Sequence, residues 1–594
     1  MEPWVVNSTQ TLDIIGKGDV TTISGLFAER VRRSPDKVAY RQHDAIVGWQ
    51  SYTWREIAEQ AARWRTAFAA SGLRRDDRVA ILHHNSIEWV CFDIAALGLG
   101  LVVVPLSLSD SARTWAEELA ETGAELLVTG QQAHWTAMSG LKDHLSKVSG
   151  VVCLDNRESC PGRCVNVSDW LPAETTPTDP AVHAGSLATI TYTSGTTGKP
   201  KGVMLTQANM LAAALAPLER IPGYLEDVFL SFLPMAHIFE RTTEYYLAIA
   251  CGGETVFARS ADKLPEDFAT IRPSVIMGVP RIYERLWKRV ESSAAGNWLA
   301  RWLIGRAGIL GRRRENDGPM VRFQHWLLKR FVGQRLSKQL GGRVRVAICG
   351  GAPLAAQLAT RLRAVGMPLI EGYGLAEAAG PVTGDSLSDY EPGSVGRPFS
   401  EIEILISVDG EILVKSPSVM SGYWNRPEET AEVLSEDGWL RTGDLGEMRN
   451  GRLYVHGRMR DLVILSTGDK LAPSDIESWL MADPLFAQAI VLGNDRSIVV
   501  ALAVLDPEHW RRFSEEQGLD PSAPGSPVSE RALLARIARH LDMMPEYAQV
   551  RRIHASLEPW TVENGLVSVA LKIRRAEIEK RFGSEIERLY AGHE

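Results

Sequence analysis

A chain of 594 residues is longer than one hydrophobic core can organise, so at least two domains are expected. With 45% hydrophobic and 23% charged residues and a net charge of −8, it reads as an ordinary globular protein and not as a general nucleic-acid binder. Six cysteines are too few for a disulfide framework at this length and point to a reducing, cytoplasmic setting.

The opening "MEPWVVNSTQTLDIIGKGDV" is mixed and polar, without the basic and apolar blocks of a secretory leader. Residues 53–73 then read as a helix: Thr53 and Glu56 form a capping box, Ile57, Ala61, Trp64 and Phe68 make an apolar stripe, and Gly72 stops it. The run "IAALGLGLVVVPLSL" (94–108) is too short to span a bilayer and is broken by Gly98, Gly100 and Pro105. It reads as a helix end running into a buried strand. Strand signals occur at 78–82, 101–106, 124–130 and 151–155, with helical patterns between several of them. This βαβ rhythm predicts a layered α/β fold with largely parallel sheets. Cys153, Cys160 and Cys164 cluster near its end, but no fourth ligand sits at zinc-like spacing, and they read as free thiols. From about residue 400, short alternating runs and tight turns, such as "GEILVKSP" (410–417) and "NGRLYVHGR" (450–458), predict a β-rich subdomain, followed by a smaller α+β unit.

One region stands apart in charge. Between Asn297 and Leu340 ten Arg and Lys residues face only Glu315 and Asp317, interleaved with Trp298, Trp302, Phe323, Trp326, Leu327 and Phe331. A basic, aromatic, helix-compatible stretch of this kind suits an anionic membrane surface, or else the solvated face of helices packed on the core.

The densest chemical signal is "TYTSGTTGKPKGVMLTQAN" (191–209). Small residues let backbone approach a phosphate closely, and N–H and hydroxyl groups then donate to its oxygens. This is not a Walker A loop, since Thr193 stands where glycine is required and Pro200 follows Lys199. The wording resembles the phosphate-binding signature of the AMP-forming acyl and aryl adenylating enzymes, the superfamily of acyl-CoA synthetases, firefly luciferase and peptide-synthetase adenylation domains. Further motifs follow in that family's order: "GGAPL" (350–354), "EGYGLAE" (371–377), "GWLRTGDLG" (438–446), "GRMRD" (457–461) and "NGLVSVALKIRR" (564–575).

The resemblance implies ATP and Mg²⁺ at the site. It gives Thr193, Ser194, Gly195, Thr196, Thr197, Gly198 and Lys201 to the phosphates, and Gly350, Gly351, Ala352, Glu371, Gly372, Tyr373, Gly374 and Ala376 to the adenylate, with Tyr373 stacked on the base. It places Glu377, with Thr193, at Mg²⁺, Asp444 and Arg458 at the ribose, Arg460 at a hinge, and Lys572 as the catalytic lysine. It also divides the chain into an adenylation domain, 1–458, and a small mobile C-terminal domain, 459–594.

"FLPMAHIFERTTEYYLAIACGGETVFA" (232–258), "MGVPRIYERLWKRV" (277–290) and the "ALKIRR" ending resemble the long-chain fatty-acid–CoA ligase branch. There His237 lies beside the adenylate and acyl pocket, with a satisfied structural histidine as the other reading. The hairpin Gly468–Asp469–Lys470 accompanies thioester formation and points to coenzyme A as acceptor. The expected activity is therefore activation of a long-chain fatty acid and its transfer to CoA. The alternatives are an acyl-AMP ligase serving a carrier protein and a weakly active acyl or nucleotide binder. Two departures stand out. "LVSVALK" replaces the usual "LTPTLK", and Ala376 replaces a threonine whose hydroxyl would donate to the AMP phosphate. One charge-assisted hydrogen bond is worth about 1.5–3 kcal/mol, which implies a slower adenylation step.

Overall fold

The computed structural model describes residues 10–155, 163–176, 182–193, 200–293, 298–311, 318–467, 469–481, 483–540, 544–561, 563–567 and 573–592. Two large sheets carry the N-terminal part. The first has nine strands, in the order Arg397–Pro398, Gly380–Gly384, Leu369–Leu375, Val346–Cys349, Val275–Gly278, Val228–Ser231, Glu254–Phe257, Val38–Asp44 and Gly48–Thr53. Its interior pairs are parallel and only its flanks are antiparallel. The second has eight, in the order Gly422–Tyr423, Lys201–Thr206, Leu187–Thr193, Val102–Pro105, Arg78–Leu82, Leu126–Thr129, Gly150–Cys153 and Cys164–Asn166. Its two antiparallel pairs put Lys201–Thr206 between Leu187–Thr193 and Gly422–Tyr423. A four-stranded antiparallel sheet over residues 403–458 follows. The last unit is an α+β one, with the three-stranded sheet Phe486–Leu492, Val499–Leu505 and Val550–Ser556 beside helices such as Pro473–Met481. The architecture is the layered α/β one expected.

Local sequence explains the elements that frame the site. Helix Trp54–Ala70 starts on the expected capping box, where Thr53 Oγ1 accepts from Glu56 N and Glu56 Oε2 from Thr53 N, and it buries Ile57, Ala61, Trp64 and Phe68. Helix Ile87–Gly98 runs through Gly100, at φ +70°, into the fully buried strand Val102–Pro105. Asn450 and Gly451, both at positive φ, make the two-residue turn between Leu440–Arg449 and Arg452–Arg458, as an Asn-Gly pair favours.

A buried ion pair joins the two large sheets. Arg241 lies on the π-helical turn Arg241–Tyr246, beyond the "PMAHIFE" stretch, and is 1% exposed. Its guanidinium pairs with Asp93, donates to Thr189 Oγ1 at 2.9 Å and to Tyr246 Oη at 3.0 Å, and sits 5.2 Å from the Trp89 ring. Tyr246 Oη in turn donates to Asp93 Oδ2 at 2.7 Å, and Thr189 Oγ1 to Val103 O at 2.7 Å. Burial pushes the Asp93 carboxyl up, and Arg241 and the Tyr246 hydroxyl pull it back. Removing one partner strands the other charge in a dry interior. Arg241→Met or Asp93→Asn should therefore cost about 3–5 kcal/mol in denaturant unfolding followed by tryptophan fluorescence, and a loss below about 1 kcal/mol would contradict this role.

Candidate active site

The candidate site residues are carried by strands and turns of both large sheets and of the four-stranded one. From the second sheet, Thr193 ends one strand and pairs with Lys201 at the start of the next, so both rims of the Ser/Gly/Thr loop are fixed by one antiparallel register. Ser194, Gly195, Thr196, Thr197 and Gly198 lie outside the described residues. Lys201 is 7% exposed, its ammonium 2.5 Å from Glu429 and 4.9 Å from the centre of the Tyr423 ring. Glu429 is held below the usual carboxylate range first by Lys201 and then by Arg426. Arg426 also reaches Glu121 at 3.0 Å, and the other Glu121 oxygen accepts from Tyr192 Oη at 3.2 Å. Both rims of the loop, Tyr192 and Lys201, thus hang from one chain of charges. This chain was not anticipated from the sequence. Its only cue is the "NRPEET" helix start at 425–430, which reads as a Pro-led first turn with two acids.

From the first sheet, the C-terminal ends of Val346–Cys349 and Leu369–Leu375 deliver the next residues, as parallel strands do in open α/β sheets. Gly350 abuts Phe239: a Cβ there would lie 2.8 Å from the ring. Gly351 has φ +76°, and Gly351 and Ala352 are exposed. A Cβ on Gly374 would lie 2.0 Å from Gly380 O, so only glycine fits that strand crossing. Gly372 and Ala376 are half-buried nearby. His237 is half-buried at the start of the turn Ile238–Glu240, which brings Phe239 against Gly350.

Glu377 accepts from Tyr423 Oη at 2.9 Å, so the Tyr423 side chain touches both the Lys201 ammonium and the expected metal ligand. A half-buried carboxylate with one oxygen steadied by a hydroxyl offers the hard donor that Mg²⁺ takes, and Thr193 supplies a further hydroxyl. Asp444, 6% exposed, accepts from Tyr373 Oη at 2.7 Å and pairs with Arg458 at 3.3 Å, the two being strand neighbours. Burial raises the Asp444 carboxyl, and Arg458 opposes the shift. Glu371 has a different setting: fully buried, it accepts from Tyr390 Oη at 3.1 Å, and burial pushes it up to about 8.

Past Arg458 comes the short turn Met459–Asp461, with Arg460 3.7 Å from Asp461. The hairpin Val463–Ile464 with Lys470–Leu471 follows, where Thr467 Oγ1 donates to Asp469 at 2.8 Å. Gly468 and Lys572 lie outside the described residues; on either side of the latter segment, Val567 and Ile573 form an antiparallel bridge.

Residues 27–424 match the model of the AMP-binding enzyme family, and residues 460–594 that of the AMP-binding enzyme C-terminal domain. The chain belongs to the AMP-binding enzymes. This AMP-binding enzyme is 31% identical to a long-chain-fatty-acid–CoA ligase (FadD15) of Mycobacterium bovis over 598 residues, 96% of this chain and 98% of that protein. It is 30% identical to long-chain-fatty-acid–CoA ligase 5 of Rattus norvegicus over 93% of this chain and 86% of that one. Among solved structures, an anthranilate CoA ligase with anthranoyl-AMP superposes with a TM-score of 0.75 at 19% identity, covering 96% of this chain and all of that one, which shows the shared fold. The adenylation domain of a carboxylate reductase from Mycobacterium chelonae gives 0.74 at 25% identity, over 96% and 91%.

The buried Glu371 makes stability depend on pH. Folded, its carboxyl keeps a proton up to about pH 8; unfolded, it loses it near 4.5. The unfolded state binds fewer protons in that window, so this residue's contribution falls as pH rises through it. Glu371→Gln should therefore flatten the decline of the unfolding midpoint from about pH 4.5 to about pH 8, and an unchanged slope would contradict it. Glu240, also pushed up to about 8 by burial, keeps part of the decline in the variant.

Proposed function

We propose that this AMP-binding enzyme is a long-chain fatty-acid–CoA ligase, which joins a fatty acid to AMP and then to coenzyme A. The observation that carries the reading is the linkage of the paired strand ends Thr193 and Lys201 to Glu377 through Tyr423, with the Asp444–Arg458 pair of the four-stranded sheet held to Tyr373, in a chain similar over nearly its whole length to named ligases of that kind. In the first half-reaction a carboxylate oxygen bonds to the α-phosphorus of ATP and the bond to the β-phosphate oxygen breaks, releasing pyrophosphate. The reacting partners are both anions, so fixed donors and cations must take up the charge. The hydroxyl loop would receive the β- and γ-phosphates, its rims held by Lys201 and Tyr192. Glu377 and Thr193 would hold Mg²⁺, which when bound offsets phosphate charge. Asp444 and Arg458 would receive the ribose, Tyr373 and the 350–352 segment the base, and His237 would border the acyl end. Lys572 would bridge the carboxylate and the α-phosphate.

In the second half-reaction the CoA thiol attacks the acyl carbon, the bond from that carbon to the AMP oxygen breaks, and the thiol proton goes to solvent. A C-terminal domain, 459–594, turning about Arg460 would withdraw Lys572 and admit the thiol. Ligase naming among the relatives favours CoA over a carrier protein as acceptor. The reading places the enzyme in the cytoplasm, in contact with the inner membrane face through residues 297–340.

The test is mass spectrometry of the products from protein, Mg-ATP and a ladder of fatty acids, with and without CoA. Acyl-CoA, AMP and pyrophosphate are expected, and Lys572→Ala should abolish acyl-AMP formation while ATP still binds. Acyl-AMP that accumulates despite CoA, or no turnover of nucleotide, would overturn the reading.

A further inference from the structure

The basic, aromatic segment is a helical hairpin with two apolar faces, of which only one is used by the fold. On helix Trp298–Gly311, Ala300, Leu303, Ala307 and Leu310 are buried, while Trp298, Arg301, Trp302 and Ile309 line the opposite side. Helix Pro319–Leu328 repeats the pattern, with Val321, His325 and Leu328 inside and Met320, Arg322, Phe323 and Trp326 outside. The inner side is mounted closely on helix Ala356–Ala364: a Cβ on Gly311 would lie 2.6 Å from Thr360 O. The outer side is therefore a fixed surface and not a fraying end.

Six Trp and Phe side chains are exposed among the described residues, and five of them are here: Trp298 (80%), Trp302 (43%), Phe323 (54%), Trp326 (56%) and Phe331 (39%). Phe323 and Trp326 stack at 6.0 Å on one helix, and Arg306 lies 5.2 Å from the centre of the Trp302 ring on the other, so each helix sets cations beside its aromatics. Residues 298–311 and 318–340 contain seven Arg and Lys and no Asp or Glu, in a chain of net charge −8. An apolar patch of this sort, exposed and ringed by one sign of charge, is unusual on a monomer and marks a docking surface. Aromatic side chains with Arg beside them match the boundary between lipid headgroups and acyl chains. No helix among the described residues is long and apolar enough to cross a membrane, so the contact would lie in the plane of the surface.

We infer that the outer face of this hairpin docks on an anionic lipid bilayer, its aromatics at the headgroup level and Arg301, Arg322 and Arg330 against lipid phosphates. This gives the membrane contact of the proposed ligase a definite face and lipid class, and it rests on that reading only for its purpose. The complementarity of two helices rich in cations and without acids with anionic headgroups selects a bilayer over a second copy of this chain, whose matching face would bear the same charge.

Vesicle flotation tests it with the full chain. The protein should float with phosphatidylcholine vesicles containing phosphatidylglycerol, far less with phosphatidylcholine alone, and less as salt is raised. Each neutralised cation near such a surface is worth about fivefold in partitioning, so Arg301→Gln/Arg322→Gln/Arg330→Gln should weaken binding about a hundredfold, with an unchanged unfolding midpoint as the folding control. Trp298→Ser/Trp326→Ser should weaken binding and leave its salt dependence in place. Wild-type protein that does not float, or variants that float as well as wild type, would overturn the inference. So would a dimer in sedimentation that the aromatic substitutions dissociate. Flotation reads binding and not turnover: an inactive protein that floats counts against the ligase reading alone, and an active one that stays behind counts against this surface.

Discussion

The pairing of Arg241 with Asp93 is the contact on which the rest of the arrangement hangs. Asp93 belongs to the helix leading into the second sheet, Thr189 to that sheet itself, and Arg241 to the turn that follows His237 and Phe239. The guanidinium therefore fixes how the strand end bearing Thr193 sits relative to the strand end bearing Gly350, because Phe239 packs on Gly350 just two residues before Arg241. A buried ion pair adds little net stability over apolar residues of the same volume, but it tolerates very few geometries. That is what residues brought together from separate sheets need.

From this frame the chemistry follows. Bringing a carboxylate to the phosphates of ATP calls for donors already in place, since reorganising them during the reaction would add to the barrier. The charges are shared along short chains: Glu121, Arg426, Glu429 and Lys201 on one side, with Tyr423 linking the Lys201 ammonium to Glu377, and Tyr373, Asp444 and Arg458 on the other. Lys201 is thus tied into the scaffold, its ammonium seated on Glu429 and against the Tyr423 ring. The Asp444 carboxylate accepts from Tyr373 Oη and is paired with Arg458, which fixes its position.

What the sequence revealed was whatever is encoded locally. The helix at Trp54–Ala70 was legible because its cap and its stripe are written within a few residues, and the turn at Asn450–Gly451 because few other pairs accept positive φ twice. The buried strand Val102–Pro105 was legible because a run of apolar β-branched residues has no other home. The site motifs were found as ordered words, which placed Glu377, Asp444 and Arg458 in one region. Their partners were not legible. Arg241 and Asp93 stand 148 residues apart, and Lys201 meets Glu429 across the sheet from a segment that reads only as a helix start. Glu371 sits inside a nucleotide-binding motif, yet its side chain is buried against Tyr390. Periodicity and motif spacing carry no information on such long-range contacts, which are set by sheet order.

The central claim is that this site makes a carboxylate attack the α-phosphorus of ATP. The direct measurement is turnover of a fatty acid labelled with ¹⁸O in its carboxyl group, followed by mass spectrometry of the released nucleotide. The account predicts AMP carrying one ¹⁸O, because the bridging oxygen of the acyl-adenylate comes from the acid and stays with phosphorus when the thioester forms. Unlabelled AMP, or label found in pyrophosphate or phosphate, would contradict it.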